Sequence, residues 1–307
     1  MRRCIALLIL CLIALPAIAQ QRKRPPDPTA DQVKAQLPAG VRYMADIAYD
    51  TQSKAQKLDL YLPANDSQQP RAAVVIVHGG GWSGGDKRRG QWWRIPADYA
   101  AAGYVAISVN YRLTDEAPSP AQVEDAKCAV RWLRAHATEY GVDPNRIGAY
   151  GNSAGAHLVS MLGLVKVSDD QEGTGPHQDQ SSMVQAVVAS ATPADFQNWG
   201  EIGNVPSRLG KTFLAGPADE LAKRARQASP ISFARDDAPP FFLIHGNADR
   251  TVPIMQSERF AKALRDAGAK EVRYMMFDNE GHGVFGSQRL LTYPAMKAFF
   301  DEALAHR

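Results

Sequence analysis

The sequence predicts an α/β fold: a doubly wound, mostly parallel sheet with an antiparallel start and a small cap. Three observations carry that reading. Short apolar runs, among them Val74 through Val77 and Val105 through Val109, have the continuous hydrophobicity of strands buried on both faces. Segments of helical period alternate with them, as in the stretch after Ser153 where Leu158, Met161, Leu162 and Val165 share a side. Before the first of these runs, Leu58 and Leu60 alternate with Asp59 and Tyr61, the pattern of a half-buried antiparallel strand.

In chain order, residues 1–19 open with Met1-Arg2-Arg3, continue with an apolar core and end in Ala17-Ile18-Ala19. This is the pattern of a signal peptide cut after Ala19, and it predicts an exported protein, periplasmic or secreted. Residues 20–40 hold Pro25, Pro26, Pro28 and Pro38 and read as a mobile leader with a short helix near Val33. The main domain is expected over 41–307. Strands are predicted at 41–50, 57–62, 74–77, 105–109, 184–188, 241–244 and 272–277. Ser119-Pro120 reads as a cap and first-turn proline for the helix lined by Val123, Ala126, Val130, Leu133 and Ala137. Residues 168–182 read as a polar surface excursion. Residues 193–240, with Phe196, Trp199, Leu209, Phe213 and Leu214 among Gly and Pro, read as a cap over the strand ends.

The formal charge is +3 in 307 residues, and the signal peptide takes Arg2 and Arg3 with it. A near-neutral chain offers no electrostatic case for nucleic acid or for a stable membrane partner. Cys4 and Cys11 also lie in the signal peptide, which leaves Cys128 alone and no intrachain disulfide. No cysteine- or histidine-rich metal spacing is present, so neither a metal nor an organic cofactor is expected.

The chemistry is concentrated in three stretches. Gly151-Asn152-Ser153-Ala154-Gly155 joins a predicted strand to a predicted helix, the setting of a nucleophile elbow with Ser153 at its tip. His78-Gly79-Gly80-Gly81-Trp82 follows a strand, and its glycines let backbone N–H groups converge on an oxyanion. Gly80, Gly81 and Ala154 are the expected donors. Asp249 and His282 each lie in a turn after a strand, and serine, acid, histidine is the chain order of α/β-hydrolases. Asp195, after an earlier strand, is the rival acid. His78 reads as a buttress of the glycine loop, His157 as packing beneath the site and His245 as a core histidine. Trp92 and Trp93 are assigned to packing in a helix, and Cys128 to an inert helical position.

These motifs resemble the acetyl esterase/lipase branch of the α/β-hydrolases, which includes bacterial xylan and feruloyl esterase-like carboxylesterases. The likeness extends through Gly85-Asp86-Lys87, Asn110-Tyr111-Arg112-Leu113, Asp143-Pro144-Asn145-Arg146-Ile147, Ala228-Ser229-Pro230-Ile231 and His245-Gly246-Asn247-Ala248-Asp249. It departs at Ala156, where the family usually carries glycine. The resemblance implies eight strands and a serine esterase acting on short-acyl or aromatic esters, acetylated or feruloylated polysaccharide included. The substrate is then a small-molecule or polysaccharide-linked ester, and Trp82, Phe196, Trp199, Phe213 and Leu214 are the expected pocket residues. An amide- or peptide-cleaving enzyme on the same machinery, and a non-catalytic binding protein of this fold, are the alternatives.

Overall fold

A computed structural model describes residues 26–200 and 206–305. The expected signal peptide lies outside the described residues. The first described element, α1 (Ala30–Lys34), is closed by a capping box between Thr29 and Gln32. Val33 is fully buried, and Asp27 pairs with Arg89 at 2.6 Å, so this part of the segment read as a mobile leader is docked on the domain.

Eight strands form one sheet: β1 (Arg42–Ala48), β2 (Lys57–Leu62), β3 (Arg71–Val77), β4 (Val105–Val109), β5 (Val142–Asn152), β6 (Ala186–Ser190), β7 (Phe241–Gly246) and β8 (Val272–Phe277). Their order is β1-β2-β4-β3-β5-β6-β7-β8. The first two pairings, β1 with β2 and β2 with β4, are antiparallel, and every later one is parallel. The expected architecture is therefore the observed one. The helices are α2 (Arg94–Ala101), α3 (Ala121–Ala135), α4 (Ala137–Tyr140), α5 (Ala154–Leu164), α6 (Ser207–Lys211), α7 (Leu221–Ala228), α8 (Met255–Asp266), α9 (Val284–Ser287) and α10 (Arg289–Ala303).

Strand alternation divides the core between the two faces. Val75 and Val77 pack with α3 and α5 residues such as Val130 and Leu158, while Val74 and Ile76 pack with Ile95, Phe299 and Phe300 of α2 and α10. Each fully buried valine or leucine contributes roughly 1.5–3 kcal/mol, so the central strands are its rigid part. β5 runs straight into α5 through Ser153, and β3 ends one residue before His78. Both motifs thus stand at the carboxyl ends of adjacent central strands.

Three local expectations are corrected. Ser119 does not cap α3; Pro120 occupies the cap position, and the Ser119 N–H donates to Phe213 O at 2.8 Å, tying α3 to the cap segment. Trp92 and Trp93 are buried as expected but precede α2 in a turn. The polar stretch 168–182 is anchored: Glu172 pairs with Arg131 at 2.7 Å and with Lys127, both fully buried on α3. Two buried cations there need a carboxylate, and Glu172 supplies it.

Candidate active site

Ser153 sits at φ 57°, ψ −122°, a conformation sparsely populated by residues with a side chain. Two glycines make the bend possible. A Cβ on Gly151 would lie 2.3 Å from the Gly155 carbonyl, and one on Gly155 would lie 2.1 Å from Val77 O. The Ser153 N–H donates to Ser190 O at 2.8 Å, which locks the turn to β6. Ala154 begins α5, and among the described residues its N–H has no acceptor. The first turn of a helix leaves such donors free for a ligand.

The glycine loop runs beside this turn. Gly80 is at φ 132°, where a Cβ would come within 2.0 Å of Gly84 O, so no other residue fits. The N–H groups of Gly80 and Gly81 have no acceptor among the described residues. Behind the loop, His78 is buried, donates from Nδ1 to Gly79 O at 2.8 Å and stacks on Tyr111 at 4.5 Å. Burial depresses its pKa to about 4, so it holds the loop as a neutral ring. The following Asp86 and Lys87 are bound by Asn110, whose Oδ1 accepts from the Lys87 N–H at 2.6 Å and whose Nδ2 donates to Asp86 at 2.8 Å. Lys87 and Arg88 in turn pair with the buried Asp59 of β2. Sequence reasoning had no means to see this clamp, because Asp59 looks like the exposed position of an alternating strand.

Asp249 and His282 are brought together from the turns after β7 and β8. His282 Nδ1 donates to Asp249 Oδ2 at 2.7 Å. Asp249 Oδ1 accepts from the Thr251 and Val252 N–H groups at 2.8 and 3.0 Å. Burial raises the Asp249 pKa, but the bonds from His245, His282 and the Val252 N–H outweigh it and hold the carboxyl well below the usual carboxylate range. Asp195 is committed elsewhere: it accepts from Gln197 N, Asn198 N and Asn198 Nδ2, each at 3.0 Å. Among the described residues no hydrogen bond joins Ser153 Oγ to His282.

A cavity of about 380 Å³ opens over Ser153, bordered by Gly80, Gly81, Trp82, Trp199, Arg208 and Thr251 among others. A larger one, about 620 Å³, lies at the opposite end of the molecule, against Asp143, Met183 and Pro240 at the amino ends of β5, β6 and β7. Ligands of open α/β sheets bind at the carboxyl ends, so the smaller cavity is the candidate site. Of the expected pocket residues, Trp82 and Trp199 line it. Phe196, Phe213 and Leu214 do not: all three are fully buried, the two phenylalanines against Trp82, which stacks on Phe213 at 4.1 Å. Aromatics in the cap had more to gain from packing together than from facing a wet cavity.

His157 is tied into that cluster. Trp82 Nε1 donates to its Nδ1 at 3.3 Å, and its Nε2 donates to Ala228 O at 2.7 Å. Burial takes its pKa down to about 4. Gln256, unnoticed in the sequence, fastens the cap's first turn: its Oε1 accepts from Ala194 and Asp195 N–H, and its Nε2 donates to Asp195, Asn198 and Trp199 carbonyls. Cys128 is buried, and burial pushes its thiol up to about 11, in keeping with an inert role.

Comparison with known proteins agrees with this fold. A carbohydrate esterase from gut microbiota, solved in truncated form, superposes with a TM-score of 0.78 at 29% identity, over 92% of this chain and all of that one. Esterase 2 of Thermogutta terrifontis, with propionate bound, gives 0.70 at 28% identity over 88% of this chain and 97% of its own. The Mycobacterium tuberculosis proteins LipM, a probable carboxylic ester hydrolase, and LipQ, an esterase, are 30% and 31% identical over 85% and 83% of this chain. The chain spans 61% and 64% of their lengths. The BD-FAE family profile matches residues 58–264, a span from β2 into α8 that includes the glycine loop, the elbow and Asp249. The chain has the α/β-hydrolase fold and belongs to the BD-FAE family.

Proposed function

We propose that the protein is a serine carboxylic-ester hydrolase acting on short-acyl or aromatic esters, with ester-substituted polysaccharide as the natural target class. The observation that carries this reading is a serine on a strained elbow, sharing one cavity with two glycines whose N–H groups have no acceptor among the described residues, while an aspartate–histidine pair stands in the neighbouring turns. Ser153 Oγ attacks the ester carbonyl as His282 Nε2 takes its proton, and Asp249 stabilises the imidazolium through Nδ1. The N–H groups of Gly80, Gly81 and Ala154 receive the oxyanion; one such donor is worth about 3–4 kcal/mol in the transition state. His282 then protonates the departing alcohol, and water activated by the same nitrogen releases the acid.

Support for the substrate class comes from relatives. Thermogutta terrifontis esterase 2 is known with propionate and butyrate bound and in a form phosphonylated by sarin, and another structural neighbour is a carbohydrate esterase. The test is labelling with a fluorophosphonate probe alongside hydrolysis of p-nitrophenyl acetate. The wild type should be labelled and active; Ser153→Ala should be unlabelled, with kcat lower by about 10⁴-fold or more. A folded wild type that takes no label, or a Ser153→Ala variant labelled equally, sinks the reading.

A further inference from the structure

We propose that His245 is a positioning residue of this site, holding the second oxygen of Asp249 in line with His282. The proposal rests on the reading of Asp249 as the triad acid. His245 is the penultimate residue of β7 and is fully buried. Its Nε2 lies 3.2 Å from Asp249 Oδ2 and 3.0 Å from Val252 O, and its Nδ1 lies 2.7 Å from Ser257 Oγ on α8. A carboxylate and a carbonyl can only accept, so Nε2 carries a proton and donates to both. Ser257, itself fully buried, holds the other nitrogen and with it the plane of the ring.

This arrangement answers a geometric need. The terminal torsion of an aspartate is broad, with no sharp staggered well of its own. Thr251 and Val252 hold Oδ1, and the planar carboxylate carries Oδ2 with it, so a donor at Oδ2, across the Cβ–Cγ axis, stiffens the same rotation from the other side. Oδ2 takes two donors, His282 and His245. His282 must tilt and change charge during turnover, so the stationary one is His245, clamped between β7 and α8. With it, the acid stays aimed while the base moves; without it, Oδ2 is held only through Oδ1 and by the group it is meant to orient.

The test is a double-mutant cycle on kcat and KM with a fluorogenic acetate ester. His245→Leu should lower kcat roughly 10- to 100-fold, the scale of a small misplacement of a reacting group, with KM unchanged. In an Asp249→Ala background the same substitution should change kcat by less than about 3-fold, because the group it acts through is gone. His245→Gln, whose amide nitrogen can reach the place of Nε2, should restore most of kcat. If His245→Leu does not fold, His245→Asn, too short to reach Oδ2, runs the same cycle. An equal loss in both backgrounds, no loss in the wild type, or a loss carried by KM overturns the proposal. If Asp249→Ala alone leaves kcat intact, it is the triad reading that has failed.

Discussion

Ser153 and Asp249 are each placed by short-range geometry that a neighbouring residue type cannot imitate. Ser153 is held at positive φ by an elbow whose flanking glycines allow backbone contact closer than any Cβ would permit. Asp249 collects four donors, two backbone and two imidazole, and stays ionised because those donors outweigh its burial. Asp195 has as many oxygens and a comparable position after a strand, yet it spends them on Gln197 and Asn198, two and three residues on. The two acids therefore separate by experiment. Asp249→Asn should reduce kcat on p-nitrophenyl acetate by about 10⁴-fold, since an amide presents the wrong partner to the histidine. Asp195→Asn should cost less than about 10-fold, through loosening of the cap's first turn. If Asp195→Asn proved the more damaging, the acid would have to be reassigned.

At the scale of elements, two buried histidines tie the glycine loop to its surroundings. His78 braces the loop after β3, and His157 on α5 links Trp82 of that loop to Ala228 at the end of α7. Both are held neutral, with pKa values depressed to about 4 by burial. The unfolded chain binds their protons near the ordinary value of about 6.5. Between those limits the unfolded state carries more protons, so stability rises with pH and falls on acidification. Each histidine accounts for on the order of 3 kcal/mol, present in full above about pH 6.5 and lost by about pH 4. Thermal melts from pH 7.5 to 4.5 should show Tm falling steadily below about 6.5. A Tm that stays level across that interval would mean that both rings take up protons in the folded protein as readily as in the unfolded chain.

For the molecule as a whole, the parallel sheet brings four loops to one end, and the cap closes part of the space above them. The cavity over Ser153 is walled by Trp82, which is backed by Phe213 and Phe196, both fully buried. Close-packed aromatics of this kind do not yield to a long acyl chain without several of them moving. An apolar pocket gains only about 1–3 kcal/mol per added methylene at best, so a short-chain preference has to come from steric exclusion. Accordingly, kcat/KM should be much higher for p-nitrophenyl acetate and butyrate than for the palmitate ester. A kcat/KM that kept climbing from four carbons to sixteen would reveal a long open groove and a lipase-like enzyme.

Residue types and their order were enough to reveal the parallel sheet, the elbow, the glycine loop and the chain order of serine, acid and histidine. These features depend on local conformation: buried strands need apolar runs, and the sharp turns need glycine, so each leaves its mark within a few residues. Whether a side chain faces the cavity or the core is a different kind of fact. Phe196, Phe213 and Leu214 looked like pocket residues by composition, and only their packing in the core turned them inward. The partners Asp59 and Arg88, Glu172 and Lys127, Gln256 and the first turn of the cap, and His245 and Asp249 were equally hidden. A buried polar side chain is legible only with the group that satisfies it, and all but the last of these partners lie far apart in the chain until the sheet assembles. His245 and Asp249 are separated by a single turn, yet their contact too depends on α8, which supplies the Ser257 hydroxyl that holds the ring.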